Sequence, residues 1–121
     1  DPGIYAEPGV AQTTTAPNPA GALTVSMPDG AWNPANADTA YLPAEIRVEI
    51  GDTVTWINDD TVIHTVTSGT STGVVTTADD LFGSGPMAPG DSFSHTFTEA
   101  GTFDYFCTPH PWMTGTVVVD G

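Results

Sequence analysis

With 121 residues, the chain has room for one domain and one two-layer core, not for two. Fifteen acids against a single base, Arg47, give a formal net charge of −14, which argues against nucleic acid and anionic membrane surfaces as partners. Thirteen glycines, eleven prolines, plentiful Val and Thr and no long run of helix formers argue against a helical fold and predict an all-β chain.

Residues 1–20 are rich in Ala, Pro and Thr and include a Thr13-Thr14-Thr15 run, so they predict a linker or arm, with the folded domain over residues 21–121. The chain starts at Asp1 without an apolar leader, and the expectation is that an export signal has been removed or the chain cut. That expectation places the protein outside the cytoplasm, periplasmic or on the outer face of the cytoplasmic membrane, with the arm as a stalk to an anchor in a longer precursor. No apolar run reaches the length of a membrane span.

Strand patterns follow. Leu23, Val25 and Met27 share one face, and Pro28-Asp29-Gly30 is a turn. Residues 31–43 predict an irregular connection. Ile46, Val48 and Ile50 alternate with Arg47 and Glu49, and Gly51-Asp52 predicts a hairpin turn into Val54, Trp56 and Asn58. A short apolar strand is expected over residues 62–67, then a long polar excursion over 68–90 anchored by Leu81-Phe82. Ser92–Phe97, Thr102–Cys107 and Thr114–Val119 complete about eight short strands, with Gly115 expected to allow close backbone approach. This spacing predicts a two-sheet Greek-key β-sandwich.

The most informative stretch is Tyr105-Phe106-Cys107-Thr108-Pro109-His110-Pro111-Trp112-Met113. Cys107, the only cysteine, permits no internal disulfide. Pro109 and Pro111 fix φ on both sides of His110 and remove two backbone donors, so the segment is a stiff turn. It carries a thiol, an imidazole and a thioether within seven residues. Two histidines, one cysteine and a weak axial methionine make a type 1 copper site, so one histidine must come from elsewhere. His64 follows the Asn58–Asp60 loop, whose end a sandwich places at the same pole as the Cys107 turn. His95 lies between Phe93 and Phe97 on an apolar strand face, where a buried, hydrogen-bonded core histidine is the commoner outcome.

The run Glu99 to Met113, with Gly115 and Val117-Val118-Val119, resembles the C-terminal half of the small blue copper proteins, the cupredoxins of amicyanin, plastocyanin and halocyanin type. Gly51 to Asn58, with His64 six residues on, resembles the first-histidine segment of that family. The resemblance covers about residues 45–120. It implies a cupredoxin sandwich, one type 1 copper bound by His64, Cys107 and His110 with Met113 axial, and electron transfer. Thr65 stands where these proteins commonly have Asn, so the brace between ligand loops is expected either to be remade by Thr65 and Thr108 or to be weaker. His95 replaces a usually aliphatic core residue.

Physical chemistry suits these roles. A soft thiolate and two neutral imidazoles serve both copper oxidation states. Backbone N–H groups of the turn are expected to bond the sulfur. The His110 edge, with Pro109, Pro111 and Trp112, predicts an apolar docking patch for a redox protein partner, His64 lying deeper and the chain acting as a monomer. Zinc and a catalytic Cys–His pair fit poorly, because the fourth donor is a thioether and no orienting third group is evident. A rival keeps the ligands but turns Met113 away, opening copper to nitric oxide or nitrite. Copper delivery is a third reading. The scattered acids favour adaptation to a salty medium, where charges are screened within roughly 8 Å or less, over steering of a basic partner.

Overall fold

A computed structural model of the chain describes residues 23–121. The arm expected over residues 1–20 lies outside the described residues. Among these are eight strands, in chain order β1 (Thr24–Met27), β2 (Glu45–Glu49), β3 (Thr53–Asn58), β4 (Thr67–Ser71), β5 (Thr76–Gly83), β6 (Ser92–Thr96), β7 (Gly101–Phe106) and β8 (Thr114–Asp120). One sheet has the order β1-β3-β6 and the other β2-β8-β7-β4-β5. β1 runs parallel to β3 and β2 to β8; the remaining pairs are antiparallel. A 3-10 helix, Pro34–Thr39, interrupts the connection from β1 to β2, its first turn capped by the Asn33 side chain accepting from Ala35 N.

Alternation sets the two inner faces. Val25 and Met27, Ile46 and Val48, Val54 and Trp56, and Val117 and Val119 are all buried, while the residues between them face outward. Trp56 lies at the centre, its ring 5.4 Å from Tyr105, 5.7 Å from Phe93 and 5.9 Å from Phe82. Aromatic contacts of this kind carry both buried area and a geometric preference, so they fix how the sheets sit on one another.

Three strand expectations need correction. Gly51-Asp52 does not join a hairpin: β2 pairs with β8 in one sheet and β3 with β1 and β6 in the other. The turn bonds instead to the end of β6, Gly51 N donating to Phe97 O at 2.7 Å and Phe97 N to Asp52 O at 3.0 Å. Ile50, past the end of β2, is consequently exposed. Residues 62–67 form no apolar strand; His64 alone makes a bridge, to Met87, while Val62 and Ile63 are exposed. Residues 68–90 are no loop, because they hold most of the β4–β5 hairpin. β5 is an edge strand with only Phe82 buried, so no apolar alternation marks it, and Asp79 and Asp80 blunt that edge. Leu81 does not share the anchoring role of Phe82, being exposed.

Two glycines are required by close neighbours. A Cβ on Gly69 would lie 2.1 Å from Thr77 O, at the bulge where β4 meets β5. At Gly115 the neighbour is a side chain, not the expected backbone: the Tyr105 ring, directly across the β7–β8 pair, lies 2.3 Å from where a Cβ would sit. Gly115→Ala should therefore destabilise the protein by about 1–3 kcal/mol through overpacking, measured by urea unfolding of the copper-free form.

His95 is half-buried, its ring 4.9 Å from Phe82 and 4.7 Å from Phe97. Burial lowers its pKa below 6.5, so as pH falls the unfolded chain takes up the proton first and stability is lost below that point. Unfolding curves of copper-free wild type and His95→Phe should run parallel above pH 6.5 and diverge below it, the wild type losing more; parallel curves throughout would refute this.

Candidate metal centre

β7 ends at Phe106 and delivers Cys107 to the pole of the sandwich. The chain then turns through three backbone bonds: His110 N donates to Cys107 O at 3.2 Å, Met113 N to His110 O at 2.8 Å, and Cys107 N to Met113 O at 3.1 Å. Cys107 and Met113 close the base of this loop, both fully buried, and His110 stands near its tip, partly exposed. Pro109 and Pro111 suit the turn because neither position is asked for an N–H.

The second segment leaves β3 at Asn58. The Asn58 side chain shapes it, donating to Val62 O and to Met87 O at 2.9 Å each and accepting from Asp60 N at 3.0 Å. His64 is then held by its backbone exchange with Met87 and is fully buried. The expectation of a deep His64 and a surface-facing His110 agrees with this placement.

His64, Cys107 and His110 converge. Cys107 Sγ lies 3.6 Å from His64 Nδ1 and 3.5 Å from His110 Nδ1, and the two Nδ1 atoms are 3.1 Å apart. First-row metal bonds of about 2.0 Å to nitrogen and 2.3 Å to sulfur would separate trigonal donors by about 3.5–3.8 Å, so the three atoms can share one ion with little movement. One thiolate and two imidazoles suit copper in both oxidation states. His95 lies outside this cluster.

The electrostatics prepare the site. Burial pushes the Cys107 thiol up, against the opposing pull of the Thr65 and His110 backbone N–H groups. A metal ion that displaces the thiol proton reverses that preference. Burial, and after it the neighbouring His64, holds His110 below the ordinary imidazole range, which favours the neutral ring that a metal needs.

The sulfur's clearest backbone partner is not in its own turn: Thr65 N donates to Cys107 Sγ at 3.3 Å across 42 residues. The expected Thr65–Thr108 brace is present, Thr108 N donating to Thr65 Oγ1 at 2.9 Å, with the two hydroxyls 3.3 Å apart. Two features were not anticipated. Asp60 Oδ2 lies 2.7 Å from His64 Nε2, both side chains fully buried. Trp112 Nε1 donates to Trp32 O at 3.1 Å, tying the Cys107 loop to the segment after β1. The only sequence signal for Asp60 was its position four residues before His64.

A thiol and two imidazoles drawn together at the pole of an eight-stranded sandwich define a mononuclear copper protein. The family of copper binding proteins, plastocyanin/azurin family, matches residues 30–120. Amicyanin of Paracoccus denitrificans is 39% identical over 112 residues, covering 92% of this chain and 82% of that protein. Plastocyanin of Scenedesmus fuscus is 35% identical over 88 residues, 65% of this chain and 85% of the relative. Among solved structures, a novel purple cupredoxin from Nitrosopumilus maritimus has a TM-score of 0.72 at 36% identity, covering 80% of this chain and 98% of that one. A reduced amicyanin variant has a TM-score of 0.60 at 35% identity, covering 88% and 97%. The chain belongs to the plastocyanin/azurin family of copper binding proteins, and its cofactor is copper.

Thr65→Val keeps the shape of the brace but removes the acceptor for Thr108 N. It should lower the stability of the copper protein by about 1–3 kcal/mol and speed copper loss to a chelator, followed by the decay of its visible absorption.

Proposed function

We propose that the protein carries single electrons between redox partners, and that His64, Cys107 and His110 would hold one copper, with the Met113 thioether as a further, weak donor. The convergence of one sulfur and two nitrogen donors within 3.6 Å of one another supports this reading. So does the likeness to amicyanin and plastocyanin. When bound, copper supplies a one-electron Cu(II)/Cu(I) couple.

Every other part is played by the chain. Cys107 provides the soft thiolate, with Thr65 N tempering its charge by a hydrogen bond. Buried Met113 closes the loop base and keeps water from that side. His110, partly exposed, is the electron port. Around it, Pro109, Pro111 and Trp112 form the docking surface, which Trp32 and Ile63, 44% and 51% exposed, extend. Ser71 Oγ donates to Pro111 O at 2.6 Å, so the β4–β5 hairpin and its exposed Val74 and Val75 adjoin the same patch. In a salty medium such apolar contacts outlast long-range charge steering. A redox protein partner would dock here, with this chain acting as a monomer. The proposed location is outside the cytoplasm, in the periplasm or on the outer face of the cytoplasmic membrane, the Ala/Pro/Thr-rich residues 1–20 being suited to a stalk. Among the described residues no helix is long and apolar enough to cross a membrane.

The copper-loaded protein should show intense visible absorption that Cys107→Ser abolishes, and should exchange electrons rapidly and reversibly with a small redox protein. Retention of the colour in Cys107→Ser would overturn the ligand set. Nitric oxide should leave the spectrum unchanged; a spectrum that responds to it would favour a reactive, open axial position, and rapid handover of copper to an apo-acceptor would favour delivery.

A further inference from the structure

Asp60 is held by an unusual number of donors for a turn carboxylate. Its Oδ1 accepts from Gly30 N at 2.9 Å and Thr61 N at 2.7 Å, and its Oδ2 from Trp32 N at 3.2 Å, with His64 Nε2 at 2.7 Å. An ionised carboxylate offers about four lone-pair sites, and all are taken. Asp60 is 3% exposed, so this is a buried charge, stable only because it is hydrogen-bonded throughout.

A carboxylate accepting at Nε2 requires the proton there, which leaves the His64 lone pair on Nδ1. That nitrogen is the one facing Cys107 Sγ and His110 Nδ1. Asp60 therefore selects the tautomer that the triad needs. Through Trp32 it also reaches the other ligand loop, because Trp32 O accepts from Trp112 Nε1. One side chain thus touches the His64 segment directly and the Cys107 loop through one residue.

We propose that Asp60 is a positioning residue that sets the redox balance of the copper site: it fixes His64 as the Nε2–H tautomer and places a full negative charge one hydrogen bond behind that ligand. A partner of this kind makes a ligating imidazole more basic. Greater basicity and nearby negative charge both stabilise Cu(II) over Cu(I), so Asp60 holds the reduction potential down. The inference rests on His64 being a copper ligand, as argued above. A plainer role exists for Asp60 as a staple for the Gly30–Trp32 turn, and that role predicts no effect of its charge on the couple.

The test uses the full copper-loaded chain at fixed ionic strength. Asp60→Asn keeps size and an acceptor for His64 but removes the charge. The reduction potential should rise, shifting the one-electron equilibrium towards the reduced form by about tenfold or more, equivalent to about 59 mV. Asp60→Glu, which restores the charge, should return part of that shift. In wild type, nitrogen-15 NMR of the diamagnetic Cu(I) protein should show a slowly exchanging proton on His64 Nε2. This holds whether or not the variants fold. An Asn variant with an unchanged potential, or an unprotonated Nε2 in wild type, would overturn the proposal while leaving the electron-carrier reading intact. A wild-type protein with no reversible couple would instead bring down the carrier reading and this inference with it.

Discussion

The centre depends on a short antiparallel contact between β4 and β7, Thr67 facing Phe106 and Ser68 facing Tyr105. Two residue pairs are all that join these strands, yet they set the register just before Cys107 and just after Thr65. From that register follow Thr65 N on the sulfur and Thr108 N on Thr65 Oγ1. A slip by one residue would turn every side chain of the strand to its other face and take Cys107 out of the core. The long loop closure between His64 and Cys107 is therefore made by the sheet, not by the metal. Buried Trp56, packed against both Tyr105 and Phe82, locks that sheet onto its partner.

The sequence made much of this legible because the chemistry is local. A thiol, an imidazole and a thioether at three-residue intervals, stiffened by two prolines, have few other uses. His64 was found because the fold class puts certain loop ends together. His95 could be set aside because its neighbours Phe93 and Phe97 already supply an apolar setting, though it proved half-buried, stacked on Phe82 and edge-on to Phe97. What stayed hidden is what alternation does not encode. Gly51-Asp52 has the composition of a hairpin turn, and only long-range pairing reveals that it is a corner between sheets. β5 has no buried face to generate a pattern. Asp60 looks like any turn-forming acid until four donors from three places are seen to converge on it.

The acidic surface and the apolar pole divide the labour. With fifteen acids and one base, the surface charge is strongly one-signed, and in the salty medium expected for it short-range apolar contacts carry more weight than long-range charge. Of the exposed large apolar residues, Trp32 is tied to the Cys107 loop through Trp112, and Val74 and Val75 follow the strand end that bonds to Pro111, so part of the exposed apolar surface lies at the metal end.

The restraint on the ligands is uneven, and the unevenness has a physical consequence. Cys107 is fixed by its own loop closure and by Thr65; His64 is fixed at its backbone by Met87 and at its ring by Asp60. His110 has the backbone bonds of its turn and ring contacts with His64 at 4.9 Å and Trp112 at 5.4 Å. A carrier gains from ligands that scarcely move when the charge on the metal changes, because movement of the surroundings must be supplied before the electron crosses. Here that rigidity is built on the inner side, from the buried groups Asp60, Thr65 and Met87. The outer ligand, His110, is left partly exposed, and under the proposed function this is the edge through which contact would be made. If His110 is the electron port proposed above, its lighter restraint has a reason: a hydrogen bond to its outer face would cover the surface that a partner would have to reach.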